Sequence, residues 1–184
     1  ADPELREAMV IPEGTYSKGY PKSGSPAVEH KFSKGSRFGA KRRSSLCQAI
    51  ESLGLFGTRS DTKFIPPAYL RGSVSQRLAL LQGLMDTDGT CCKHGQCDFT
   101  STKRRLIDDA AELLWSLGIK VTITEGLAKL NGRVIGPKYG LKFMTDIPAF
   151  RLARKLIRQK RGGFRGTHVR RYIVSVEPVA SVSV

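Results

Sequence analysis

The sequence predicts an α+β fold whose legible part is a helix, two strands, a helix, two strands and a helix, over about residues 73–160. Two patterns carry most of that reading. Leu106, Ala110, Leu113, Leu114 and Leu117 fall on one helical stripe over 102–117, and Gly118 follows where such a helix should stop. Ile119, Val121 and Ile123 then alternate with Lys120, Thr122 and Thr124, the period-2 signature of a half-buried strand.

The other elements follow in chain order. Asp2 before Pro3 suits the start of a short helix over 2–9. Gly, Pro and Ser crowd 12–26, which reads as turns or a mobile loop. Residues 44–53 read as a helix, with Leu46, Ala49, Ile50 and Leu53 on one stripe and Gly54 at its end. Pro66 and Pro67 interrupt the chain and start a short helix over 68–71. Ser73 or Ser75 caps a helix over 76–85. A hairpin is expected from 90–94 and 96–101, and a second one turning at Asn131-Gly132, with 138–144 as its return strand. A basic helix over 147–160 closes the unit, and 161–184 reads as a loop and a departing strand at 171–176.

The charge narrows the function classes. The chain has 184 residues and a formal net charge of +15, which points to a polyanionic partner. Its 40% hydrophobic content argues against a disordered basic tail. No apolar run reaches membrane-spanning length and no signal-peptide pattern opens the chain, so neither a membrane nor secretion is expected. Residues 30–50 contain Lys31, Lys34, Arg37, Lys41, Arg42 and Arg43 without an acid. Residues 147–171 contain nine basic residues without one, among them Arg151, Arg154, Lys155 and Arg158. Either run alone fits a solvated face; two together favour a nucleic-acid footprint.

The chemistry concentrates in Leu80–Thr90. Leu81, Leu84 and Met85 supply an apolar stripe, and Gly83 leaves a gap through which another helix can approach. Asp86 and Asp88 fall at the helix C-terminus, where the macrodipole disfavours negative charge. A cation beyond the helix end would explain them, with Gly89 turning the chain; oxygen ligands of this kind suit Mg²⁺, Mn²⁺ or Ca²⁺. A solvated helix end with incidental acids is the plain alternative. An EF-hand loop is excluded by the register of its glycine. Cys91, His94 and Cys97 lie three apart but have no second ligand pair at zinc spacing, so buried strand cysteines are the better reading.

Leu81-Gln82-Gly83-Leu84-Met85-Asp86-Thr87-Asp88-Gly89 resembles the signature of the LAGLIDADG homing endonucleases, in their intein-encoded branch. Seven of nine positions agree when Met85 is counted as a conservative replacement; Gln82 and Thr87 depart. Leu53-Gly54-Leu55, Lys63-Phe64-Ile65-Pro66, Leu117-Gly118-Ile119 and Phe150–Lys155 resemble the other blocks in order, so the likeness covers about 50–184 well and 1–49 loosely. The resemblance implies two αββαββα halves with curved antiparallel sheets, paired through their motif helices at Gly83 and Leu84. It implies Mg²⁺ (or Mn²⁺) on Asp88 and Gly89, basic groups at Lys63 and Lys155 (Arg154 as the alternative), and hydrolysis of double-stranded DNA. On the strands, alternation that buries Phe99, Ile119, Val121, Ile123, Leu141 and Phe143 leaves Gln96, Asp98, Thr100, Lys120, Thr122, Thr124, Lys138 and Lys142 on the other face. Such a face can read base edges and phosphates, although each residue alone also fits an ordinary exposed strand.

A single full motif is present. Residues 1–72 therefore read as a partial first half, 73–160 as the second half, and 161–184 as an exit toward a splicing domain. The expectation is an intein endonuclease segment, truncated and without splicing residues, working in the cytoplasm near the nucleoid. It would need a second motif-bearing half from upstream residues or a second copy. A non-cleaving DNA- or RNA-binding module on the same fold is the competing expectation.

Overall fold

A computed structural model of the chain describes residues 15–21, 28–34, 45–59, 62–159 and 172–178. The expected helix over 2–9 lies outside the described residues. Two strands, β1 (Thr15–Pro21) and β2 (Val28–Lys34), pair antiparallel as a hairpin. This corrects the loop expected over 12–26: β-prone Thr15, Tyr16 and Tyr20 form a strand. Of the Gly, Ser and Pro residues that suggested a loop, Ser17, Gly19 and Pro21 lie within β1 itself, and Ser23, Gly24, Ser25 and Pro26 follow it in sequence. Helix α1 (Ser45–Ser52) follows, with Gly54 beyond it at φ 69°. Helix α2 (Pro67–Leu70) starts at the second proline.

Helix α3 (Val74–Thr87) carries the motif. Its N-terminus is a full capping box: the Ser73 hydroxyl accepts from the Gln76 N–H at 3.3 Å, and Gln76 Oε1 accepts from the Ser73 N–H at 2.9 Å. That reciprocal cap decides between the two serines and starts the helix two residues before 76. Strands β3 (Thr90–Cys91) and β4 (Cys97–Ser101) make the short hairpin, and α4 (Arg104–Ser116) is the amphipathic helix. Its stripe buries Ile107, Ala110, Ala111, Leu113 and Leu114. Gly118 stands past its end at φ 78°.

Strands β5 (Val121–Leu130) and β6 (Arg133–Phe143) complete an antiparallel sheet in the order β3-β4-β6-β5. Asn131 and Gly132 turn between them with φ of 49° and 80°, both left-handed, as a two-residue type I′ turn requires. Replacing Asn131 by alanine should cost about 1 kcal/mol, because only glycine and asparagine enter that region cheaply. Urea unfolding of the two forms would measure it, and an unchanged midpoint would contradict the turn assignment.

Strand β6 begins at Arg133, five residues before the expected 138. The added stretch contains Gly136-Pro137, and β4 pairs with β6 only from Tyr139 to Phe143. Beyond Tyr139, β6 has one neighbour and an open edge, where proline is tolerated. A register shift at Ala128/Lys129 bends this two-stranded overhang, whose Leu127, Leu130, Val134 and Ile135 are exposed.

One sheet face packs on the helices. Phe99, Leu141 and Phe143 join Leu81, Met85, Ile107, Leu113, Leu114 and Phe150 in a continuous core. The expected long basic helix is absent; only α5 (Ala153–Leu156) is helical. Before it, side chains rather than helix carbonyls take the backbone donors. Ala149 N–H donates to Gln159 Oε1, and Arg151 and Leu152 N–H donate to Asp86 Oδ1. Residues 172–178 form no strand, since nothing among the described residues pairs with them. No helix of the described residues is long and apolar enough to cross a membrane.

Candidate active site at the end of the motif helix

The C-terminal carbonyls of α3 lack intrahelical partners and must be satisfied otherwise. Asp88 N–H donates to the Leu84 carbonyl (3.0 Å), Gly89 N–H to that of Met85 (3.1 Å), and the Thr87 hydroxyl to those of Gly83 and Leu84. Lys155 adds further donors. Its Nζ lies 3.0 Å from the Met85 carbonyl, 2.7 Å from that of Asp86 and 2.7 Å from that of Gly89. A lysine at a helix C-terminus opposes the dipole as well as supplying donors.

The two acids of the motif have different surroundings. Asp86 is 3% exposed; its Oδ1 accepts from the N–H groups of Arg151 (3.0 Å) and Leu152 (3.1 Å), while Oδ2 lies 3.8 Å from Arg151 Nε. It is spent on the fold. This corrects the reading in which both acids face a cation. Asp88 is exposed, and its carboxylate makes no hydrogen bond or ion pair with the described residues. Gly89 is buried, and a Cβ there would stand 2.7 Å from Met85 Cα.

Among the described residues no group of three or more His, Cys, Asp or Glu is arranged to hold a metal ion. Asp88 and the Gly89 carbonyl, which keeps a second lone pair beside the Lys155 contact, form at most half a site. Mg²⁺ commonly takes one or two protein carboxylates, with waters and substrate phosphates completing its shell, so this donor set fits a shared position. The cysteines do not compete. Cys91 and Cys97 face each other at 3.7 Å in the buried row of the β3–β4 ladder, and burial pushes both thiols above their ordinary range. Cys92 and His94 are exposed.

Lys63 lies elsewhere. It is exposed, and its segment is tied to α4: Phe64 stacks under Arg105 at 4.7 Å, and Ile65 N–H donates to Asp109 Oδ2 at 2.9 Å. No contact joins Lys63 to Asp88 among the described residues. Arg154 on α5 and Arg158 just past its end are exposed, whereas Arg151 also reaches the Ala79 carbonyl at 3.3 Å. On α3, Gly83 has room: a Cβ there would meet nothing within 4 Å. Leu84, beside it, is half-buried.

The open sheet face is ordered by register. Thr90, Asp98, Lys142 and Thr122 form one cross-strand row; Thr100, Gly140 and Thr124 form the next, and Lys138 pairs with Gly126 beyond. Gln96 and Lys120 sit one residue outside β4 and β5. A Cβ on Gly140 would stand 2.8 Å from Thr124 Oγ1, so glycine lets the threonine row close over the centre. Sequence reasoning missed Gln82, which donates to the Pro148 carbonyl at 2.9 Å, and buried Gln159, which donates to those of Thr145 and Ile147. Gln82 did leave a signal, as a departure from the motif at a half-buried helix position.

The family description "LAGLIDADG-like domain" matches residues 75–179, more than half of the chain. The chain belongs to the LAGLIDADG family. Its αββαββα unit, with the signature helix against one face of a four-stranded antiparallel sheet, has the α+β architecture expected of that family. The LAGLIDADG chain is also similar to a protein described as "Replicative DNA helicase DnaB" from Mycobacterium intracellulare, at 39% identity over 137 residues. That stretch covers 73% of this chain and 23% of the helicase, so the chain spans less than a quarter of that relative's length.

Proposed function

We propose that this LAGLIDADG domain is the endonuclease part of an intein carried within a replicative DNA helicase, and that it cuts both strands of a specific DNA site. The observation that carries the reading is Asp88: an exposed carboxylate without a partner among the described residues, held at the unfavourable end of a capped helix. Asp88 and the Gly89 carbonyl would hold Mg²⁺ or Mn²⁺, which when bound polarises a phosphate and makes water nucleophilic. The chain's own residues supply the rest. Lys138 and Lys142 with Arg154 and Arg158 meet phosphates, while Asp98, Thr100, Thr122 and Thr124 face base edges. Gln96, Lys120 and Arg151 extend that surface, and Lys63 serves the half built from upstream residues. The Gly83–Leu84 face of α3 receives a second motif helix, contributed upstream or by a second copy. The work would take place in the cytoplasm, at the nucleoid.

A plasmid carrying the uninterrupted helicase coding sequence is the substrate for the test. Metal-dependent linearisation supports the reading. Specific binding without cutting, with or without Mn²⁺, would leave a non-cleaving DNA- or RNA-binding module. Binding should weaken by roughly 10³–10⁵ between 50 and 200 mM salt if about 6–10 phosphates are met. A salt-independent affinity would sink the phosphate assignment.

A further inference from the structure

The geometry points to Asp86 and Lys155 as positioning residues, a reciprocal clamp that holds Asp88 in place; its catalytic consequence rests on the reading of Asp88 as a metal ligand. Each end of the clamp reaches into the other's segment. From the motif helix, Asp86 Oδ1 takes the two backbone N–H groups that precede α5. From α5, the Lys155 ammonium takes three carbonyls around the end of α3, those of Met85, Asp86 and Gly89. These bracket Asp88 on both sides in sequence.

Two further ties run in parallel. Gln82 donates to the Pro148 carbonyl, and Arg151 Nη2 donates to that of Ala79. Phe150 is 1% exposed, and its ring centroid lies 5.8 Å from Lys155 Nζ, so the lysine stem is packed as well as bonded. An ammonium offers three donors, and three carbonyls stand within reach of this one. Lys155 therefore acts on the backbone that carries Asp88. Asp86 acts through its oxygen and not through a charge offered to solvent.

That distinction sets the test. Asp86→Asn keeps the Oδ1 acceptor and loses the charge; Asp86→Ala loses both. Amide exchange of the full chain is followed in peptides covering 84–92 and 149–156. Asp86→Asn should stay within about twofold of the original chain. Asp86→Ala and Lys155→Met should exchange at least about tenfold faster in both peptides, because each leaves buried backbone groups unpaired. The Mg²⁺ concentration for half-maximal cleavage should rise about tenfold or more in those two variants, as for groups that orient a metal ligand. It should not move in Asp86→Asn, nor in a Leu113→Ala control that weakens the core elsewhere. Either of two results overturns the clamp: Asp86→Asn behaving like Asp86→Ala, or exchange over 84–92 unchanged in Lys155→Met. If the original chain cuts no DNA, that counts against the proposed endonuclease, and the exchange comparison alone decides the clamp.

Discussion

Asp88→Asn should reduce metal-dependent DNA cleavage by at least about a thousandfold while leaving the protein folded, and slightly more stable than before. The loss follows from the donor set. Among the described residues Asp88 is the carboxylate at this helix end with no protein partner, since Asp86 is committed to Arg151 and Leu152. A ligand change that removes metal assistance forfeits several kcal/mol of transition-state stabilisation, and each 1.36 kcal/mol is tenfold in rate. The stability gain has a separate cause. A negative charge at the C-cap of α3, where Asp88 stands, opposes the helix dipole, at about 0.3–1 kcal/mol. Single-turnover cleavage of a target duplex measures the first effect, and thermal unfolding the second. A variant that still cut at near the original rate would remove Asp88 from the site. One that melted earlier would show that its carboxylate supports the fold.

The second large effect is steric. Gly89→Ala should destabilise the chain by about 3 kcal/mol, the upper part of the overpacking range, lowering the melting midpoint by roughly 6–12 °C. The added Cβ would stand 2.6 Å from Met85 Cε and 2.7 Å from Met85 Cα. A side-chain tip could swing aside. The Cα is helix backbone, and Met85 itself is 1% exposed within the core. Gly83 gives the opposite sign within the same motif. Its Cβ position is empty, and a glycine inside a helix costs about 0.5–1 kcal/mol relative to alanine, so Gly83→Ala should stabilise the separate chain. Differential scanning calorimetry of the two variants side by side would check both signs. Equal shifts would mean that neither glycine is there for space.

The elements legible in sequence were those whose stabilisation is local. Helix α4 shows its buried stripe at helical spacing, β5 alternates, and Asn131-Gly132 can do little except turn. The signature nonapeptide pointed to the family, which the match over 75–179 establishes. Three expectations failed where distant residues decide. Residues 147–152 have the composition of a helix start, yet Asp86 and Gln159 take their donors from outside the segment. The extension of β6 back to Arg133 depends on β4 being short, which no pattern inside β6 records. Strand 171–176 needs a partner, and the described residues contain none.

The candidate site divides in the same way. Order along the chain sufficed to place Asp86, Asp88 and Gly89 at a helix end, to put the polar strand residues on one face, and to raise the expectation of a polyanionic partner. Those conclusions rest on backbone periodicity and on net charge, which are properties of neighbours in sequence. Tertiary packing alone separated the two aspartates. Both carry the same group, two residues apart, and what distinguishes them is 65 residues away: Arg151 and Leu152 fold back and bury one carboxylate against their N–H groups. The same packing brings Lys155 onto the helix end. A hydrogen bond between segments so far apart leaves no periodic trace in either one, so the assignment of roles had to wait for the fold.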